Sequence, residues 1–545
     1  MTKNLLISLA VVLLTACTHT IKSTHVWLTS DSGDKCREKR AVSFFPLLHS
    51  PDALHSNNTG VYVNLSDQRQ VIDGFGGSLT ESSAFVLATL PADQREAILE
   101  ELFSENGANF SVARTQVGAS DFSVEGRYSL AEKEGDTALE SFSLYRDKEG
   151  FPKDKYPLIQ DENYDLFNLM TDVWNIKQSQ SDKVFKLMAS AWTAPAWMKE
   201  NGKYYERENG FHRGGALLKE HYQTYADYLV RYLEAYRDEG ISFWAMTPVN
   251  EPMGNDGGWE SMDMSADEEA LFIGDYLGPT LGSHGFSNVE VFGFDQNIGE
   301  LPRYAEAIYG MDQAKTHTAG MAIHWYGSTV SCLPEVLDQV HNTYPDKRIF
   351  HSEGCIDNLG CPPWDAVTDK AGFVESDWFM NDDFWWSVSA TDWAYSTPYD
   401  NGNHPAYVPV HRYAQYIIDG LNHWMTGFCD WNIVLDEIGG PNHVSNFCGA
   451  QVMVDAANED IYFTPYYYVL KQFSRSMRPG DIVLGVNADV NDKLHVCAVR
   501  KHDGSIAVNM LNTGKDALIF PLQIDDHIAR VQLPANSVET IIVKL

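Results

Sequence analysis

The sequence predicts an α/β protein: a closed (β/α)8 barrel carrying a composite all-β sandwich. Three observations predict it. Eight short β-rich runs recur through the middle of the chain with longer helical stretches between them. Strands alternating with helices imply a parallel sheet, and eight such units imply closure. No dinucleotide turn follows the first run, because Gly74-Phe75-Gly76-Gly77 lacks the third glycine of GxGxxG, which argues against an open doubly wound sheet. Beyond about residue 480 the runs become short, β-rich and separated by turns such as Asp503-Gly504, the texture of a sandwich.

In chain order, Lys3 precedes an apolar run from Leu5 to Leu14 that ends Leu14-Thr15-Ala16-Cys17. A basic start, a short apolar stretch and small residues before the cut predict a signal peptide over 1–16. The Leu-Thr-Ala-Cys ending resembles a lipobox, so Cys17 is expected to be lipidated on the outer membrane, with 17–35 as a polar tether; a plain signal peptide is the alternative. Residues 36–70 are read as a β segment joining the sandwich. The barrel spans 71–479, with strands expected at Val71–Gly77, Phe110–Gly118, Phe185–Trp192, Phe243–Pro252, Val289–Asn297, Met321–Gly327, Arg348–Gly354 and Gly427–Leu435. Helical spacing marks Pro91–Phe103, Glu162–Gln178, Leu217–Glu239 and Ser265–Leu277. Residues 480–545 form the C-terminal sandwich domain.

With 75 acidic against 40 basic residues, the formal charge is −35. Such a body repels nucleic acid and anionic lipid, so any membrane contact is expected through the lipid alone. The cysteines have irregular spacing and no CxxC, which argues against structural zinc. Cys355/Cys361 and Cys429/Cys448 are candidate disulfides in an exported chain.

Chemistry in a barrel sits at the C-terminal ends of strands. The fourth run ends Asn250-Glu251-Pro252 and the seventh ends Ser352-Glu353-Gly354. Two facing carboxyls suit glycoside hydrolysis: one protonates the leaving oxygen, while the other attacks the anomeric carbon or activates water. Aromatic residues near the strands (Trp192, Trp197, Trp244, Trp325, Tyr326, Trp424 and Trp431) are expected to ring one mouth as a sugar floor. No nucleophile elbow, HExxH or phosphate loop is present. His324 and His351 read as structural groups, and the chemistry requires neither metal nor cofactor.

Joint order and spacing then identify a family. The segments Gly74–Glu81, Ala119–Ser123, Trp192–Lys199, Val249–Pro252, His324–Tyr326, Asp430–Asn432 and Gly439–Phe447 resemble glycoside hydrolase family 30, the group that includes glucosylceramidase. The resemblance runs from about Val71 to Gly480. It implies a retaining mechanism on β-glycosides with Glu251 as acid/base and Glu353 as nucleophile. It also implies that Asn250 bonds the sugar 2-hydroxyl and that Asp121, Trp192 and Trp431 hold the outer hydroxyls. Phe122, Tyr326 and Asn446 are implied as second pocket positions, with Tyr326 near Glu353.

Ser120, His443, Asn297 and the His351-Ser352 pair depart from the family pattern, which leaves the aglycone side open. The expectation is an exo-acting β-glucosidase on β-1,6-glucan or related β-glucosides, glucosylceramide included. The alternatives are an endo-β-1,6-glucanase, a β-xylosidase or fucosidase, and, from another class, a non-catalytic glycan-binding lipoprotein.

Overall fold

Why the central runs become strands is visible in their burial. The computed structural model describes residues 20–47, 59–208, 211–254, 258–356, 379–387, 390–391 and 406–545. Besides the two-residue strand Arg37–Glu38, the chain opens with β1 (Ile21–Ser30), β2 (Ser43–Pro46), β3 (Gly60–Val71), β4 (Gly74–Gly77) and β5 (Val112–Gln116). The barrel continues with β6 (Lys186–Ser190), β7 (Ala245–Thr247), β8 (Glu290–Asn297), β9 (Thr318–His324), β10 (Arg348–Glu353) and β11 (Met425–Asp430). β4 to β11 close into one parallel barrel in the order β7-β8-β9-β10-β11-β4-β5-β6. These strands are buried on both faces, β5 and β11 throughout their lengths, as helix-covered parallel strands must be.

The helices follow the predicted periods. They include α1 (Glu81–Ala88), α2 (Ala92–Phe103), α3 (Leu166–Ser179), α4 (Tyr222–Asp238) and α5 (Ala266–Leu271). α4 buries Tyr225, Tyr228, Leu229, Tyr232, Leu233 and Tyr236, a three-and-four spacing that lays one stripe on the barrel. Capping boxes start α3 at Asp165 with Asn168 and α5 at Ser265 with Glu268. The helix expected over Ser265–Leu277 is α-helical only to Leu271 and widens into a π turn over Phe272–Leu277. There Gly274 sits so close to the helix over Asp312–His317 that a Cβ would lie 2.8 Å from the Ala314 nitrogen.

The last strands are β12 (Ile482–Asp489), β13 (Leu494–Arg500), β14 (Ile506–Asn512), β15 (Leu518–Ile524), β16 (His527–Leu533) and β17 (Ser537–Val543). They join β1, β2 and β3 in one sheet ordered β1-β17-β14-β13-β12-β3-β15-β16-β2, with the two-residue strand Arg37–Glu38 added beside β1, and a further β1–β2 pairing closes it. Val26, Val61, Val63, Val496, Val508, Leu522 and Ile541 fill its core.

Three expectations change. The 17–35 segment is not a tether over its length, since Ile21–Ser30 is a strand paired antiparallel with β17; its Val26, Trp27 and Leu28 are apolar enough to bury on both faces. The first barrel strand begins at Gly74, because residues 60–71 belong to the sandwich. Cys429 and Cys448 are not bonded to each other: Cys429 Sγ faces the Asp430 carbonyl, and Cys448 Sγ lies 3.0 Å from Cys355 Sγ. Residues 1–16, Cys17, Cys361 and most of the Asp357–Asp382 loop lie outside the described residues.

Two helices dock the sandwich on the barrel: one over Pro409–Asn422 and one over Pro465–Ser476. Asn422 Nδ2 donates to the Val496 carbonyl at 2.9 Å, and Gln472 Oε1 accepts from Thr540 Oγ1 at 3.0 Å.

Candidate active site

Glu353 is the last residue of β10, and Glu251 lies four residues beyond the end of β7, so the barrel carries both to the same rim. One carboxylate oxygen of each lies within 4.8 Å of the other, with a His324 nitrogen in the same group. Arg114 Nη1 donates to Glu353 Oε2 at 2.7 Å, and the Tyr326 hydroxyl donates to Oε1 at 3.2 Å. Glu251 has a positive φ of 50°, an uncommon conformation for a side-chain-bearing residue. Its N–H donates to the Asp295 carbonyl at 2.9 Å, which holds that backbone in place.

Beneath the two carboxylates lies a charge network that the sequence reading did not single out. Arg114 stands inside β5, fully buried, and reaches Glu353, Asp295, Asn250 and Ser190 at 2.7–2.9 Å. Asp295 in β8 takes Arg114 Nη2 at 2.8 Å, Ser352 Oγ at 2.6 Å and Thr247 Oγ1 at 2.7 Å. Burial pushes its pKa up, yet the Arg114 charge and the bonds from His324 and Ser352 more than offset this and hold it well below the carboxylate range. His324 Nε2 lies 3.0 Å from Asp295 Oδ1, and Nδ1 lies 3.2 Å from Glu251 Oε1. Burial alone would lower the imidazole pKa; the surrounding Glu353, Asp295 and Glu251 raise it to about 10. His324 therefore spends both nitrogens as donors. Glu251, His324 and Glu353 are also near enough to one another to hold an ion.

Glu251 moves the other way. Burial is the largest cause and raises its pKa, Glu353 adds to the rise, and His324 opposes both. A carboxyl whose pKa is raised thus stands beside a second carboxyl that is paired to arginine.

The remaining predicted residues gather on one side. Asp121, in the loop after β5, accepts from Asn446 Nδ2 at 3.0 Å. Burial and the charges of Glu353 and Glu251 push Asp121 up to about 8. Trp192 and Trp431 stack on each other with centroids 5.1 Å apart, and the Arg114 guanidinium lies over Trp192 at 4.7 Å. Phe122 is fully buried and meets the Trp431 ring edge-on, so it supports that ring. Asn250 commits Oδ1 to Arg114 at 2.7 Å, which leaves its amide hydrogens to offer.

The expected aromatic ring is smaller than the sequence suggests. Trp244 and Trp424 precede their strands and so sit at the opposite end of the barrel. Trp325 is fully buried, facing outward against Tyr413 and Tyr416. Arg114 and Asp295 did carry a signal. Each is a charge inside a run otherwise fit for a buried strand, where it survives only with a partner.

Comparison with known proteins decides the family. The glycosyl hydrolase family 30 TIM-barrel domain matches residues 72–395 and 399–477, and that family's beta sandwich domain matches 482–541. The chain belongs to glycoside hydrolase family 30. It is an O-glycosyl hydrolase with a carbohydrate substrate. The mouse (Mus musculus) lysosomal acid glucosylceramidase is 29% identical over 484 residues, covering 88% of this chain and 82% of that protein. An endo-1,6-beta-D-glucanase of Aspergillus fumigatus is 26% identical over 429 residues, covering 77% and 73%. Among solved structures, SrfJ from Salmonella typhimurium superposes with a TM-score of 0.77 at 24% identity, covering 96% of this chain and all of that one. An endo-beta1,6-glucanase superposes with a TM-score of 0.72 at 23% identity, covering 95% and 98%. These two structural likenesses speak for the fold.

Proposed function

We propose that this family 30 hydrolase is a retaining, exo-acting β-glucosidase that takes β-1,6-glucan or related β-glucosides. The observation that carries the retaining mechanism is the approach of Glu251 and Glu353 to within 4.8 Å. Inverting enzymes hold their carboxyls about 6.5–9.5 Å apart to admit a water, and retaining ones about 5–5.5 Å.

In the first step Glu251 protonates the glycosidic oxygen while Glu353 attacks the anomeric carbon, giving a covalent glycosyl-enzyme. Arg114 and Tyr326 fix the attacking carboxylate in direction. The amide of Asn250 meets the sugar 2-hydroxyl, and Asp121 with Asn446, Trp192 and Trp431 receives the outer hydroxyls. Glycosylation removes the Glu353 charge, so the Glu251 pKa falls just as it must take a proton from water. The β-1,6 linkage rests on relatives named as endo-1,6-beta-D-glucanases, and exo action on the glucosyl-type residues together with relatives named as glucosylceramidases.

Residues 1–17 add an address to this reading: export, lipidation at Cys17 and residence on the outer membrane, as a scavenger of external glycans. Incorporation of a labelled fatty acid that disappears in Cys17→Ala tests the anchor. Hydrolysis of an aryl β-glucoside by a form starting at Thr20, beside Glu353→Gln, tests the reaction. Turnover by the first and collapse in the second is expected. Early release of glucose from β-1,6-glucan supports exo action, and oligosaccharides alone would establish the endo-glucanase reading instead.

A further inference from the structure

His443 stands where the family pattern has an aromatic, and its surroundings are unusual for a histidine. Its Nδ1 lies 2.8 Å from the backbone oxygen of Ser123, and its Nε2 lies 3.1 Å from Glu260 Oε2. A carbonyl and a carboxylate only accept hydrogen bonds, whereas a neutral imidazole carries a single N–H. The site is closed: the His443 side chain is 7% exposed and that of Glu260 is 0% exposed. With the ring neutral, a lone pair would face an ionised Glu260, so the doubly protonated ring is the form in which both nitrogens donate to these two acceptors. The other Glu260 oxygen takes the Arg127 N–H. The ring lies against the bare α-carbon of Gly126, at φ +63°, where a Cβ would come within 2.2 Å of it.

These contacts join three rim loops. His443 belongs to the loop after β11, Ser123 and Gly126 to the loop after β5, and Glu260 to the loop after β7. Three residues beyond His443, Asn446 donates to Asp121, and Asn442 Oδ1 accepts from the Val444 and Asn446 N–H groups at 3.1 Å each, which makes the intervening turn rigid.

We infer that His443, as an imidazolium, is a positioning residue that clamps the β11 loop onto the β5 and β7 loops and so places the Asp121–Asn446 pair against the outer hydroxyls of the bound sugar. The inference rests on the substrate reading above. The titratable groups facing the ring are Glu260 and Asp121, with Glu81 behind them and Lys199, whose pKa burial lowers to about 7, beyond Glu260. Burial lowers the histidine pKa, but Glu260, Ser123 and Asp121 together raise it above the ordinary value. Above that pKa the ring sheds a proton, Nε2 turns a lone pair toward Glu260, and the clamp loosens.

The test joins a spectroscopic and a kinetic readout. Ring ¹⁵N shifts of the wild-type enzyme, assigned by their absence in His443→Phe, are expected to show two protonated nitrogens at pH 7. A neutral tautomer there overturns the inference without reference to substrate. In Glu260→Gln the amide can donate to a neutral Nε2 and still accept from the Arg127 N–H, so the clamp no longer needs the proton. Wild-type KM for an aryl β-glucoside is expected to rise about tenfold as the ring deprotonates, a change worth one lost hydrogen bond. The KM of Glu260→Gln is expected to keep only the smaller pH dependence that Asp121, pushed up to about 8, brings to every variant, and that of His443→Phe is raised at every pH. An equal KM rise with pH in wild type and Glu260→Gln would overturn the clamp. Absence of any wild-type turnover would instead overturn the substrate reading, and the ring shifts would then decide the clamp alone.

Discussion

At the scale of single residues, the division of labour proposed for the two carboxylates follows from their environments. Glu353 is paired with Arg114, while Glu251 sits on a strained backbone with burial raising its pKa. Their roles are separable by a small anion. In Glu353→Ala, azide is expected to enter where the nucleophile stood and give a glucosyl azide of inverted configuration. In Glu251→Ala, azide is expected to attack the glycosyl-enzyme and give the retained one. Each substitution should cost at least 10² in kcat for a poor leaving group, and the anomeric configuration of the product by NMR checks the assignment. The same product from both variants would sink it. The pH profile belongs here too: kcat/KM is expected to be bell-shaped, its alkaline limb set by loss of the Glu251 proton. The two glutamates were legible in the sequence because each ends a β-rich run. Arg114, Asp295 and the clamp of His443 were not, since their meaning lies in partners 136 to 320 residues away.

Elements decide whether those residues meet. β8 carries Phe294 at φ +76° and Asp295 at φ +49°, and the register slips between Phe294 and Gln296. That bulge aims the Asp295 carbonyl at the Glu251 N–H. It is held by Glu269 of α5, whose Oε1 accepts from the Phe294 N–H at 2.9 Å. Burial raises the Glu269 carboxyl to about 8, so it serves as a neutral acceptor, which glutamine imitates. Glu269→Gln is expected to keep stability and kcat within a few-fold. Glu269→Ala orphans a buried N–H and should cost about 1–3 kcal/mol, read by denaturant unfolding, together with kcat. Equal losses in the two variants would mean that Glu269 acts by charge. β1 gives a second test. A chain cut to begin at Asp31 loses the strand between β17 and β2 and is expected to melt well below one beginning at Thr20. Alternation made the barrel and the C-terminal strands readable. β1 was hidden because its polar start imitates a tether, and its burial depends on β17, more than 500 residues downstream.

The whole molecule adds a charge of −35 and a set of carboxyls whose pKa is raised by burial. Burial raises Asp121 to about 8, Asp147 to about 7 and Glu269 to about 8, with Asp165 also raised by burial and by Glu81. The sign follows from linkage. Each group has a folded pKa above its unfolded one, so between the two values the folded state binds the extra proton. Stability is therefore fully present below the unfolded carboxylate range near pH 4 and is lost as pH rises toward 7 or 8. The ceiling is about 1.4 kcal/mol per group for each pKa unit of difference. Asp295 works in the opposite sense: its stabilisation is present above the unfolded carboxylate range near pH 4 and is lost progressively as pH falls below it, outside the range from pH 5 to 8. Self-repulsion acts in the same direction as the raised carboxyls, because acid also discharges the surface. The melting temperature is thus expected to be higher at pH 5 than at pH 8. Added salt should narrow the gap only in part, since it screens surface repulsion and leaves the buried carboxyls almost untouched. A melting temperature that climbs steadily from pH 5 to pH 8 would show that these carboxyls ionise freely in the folded protein. An acid-favouring curve that high salt removed entirely would assign the effect to the surface instead.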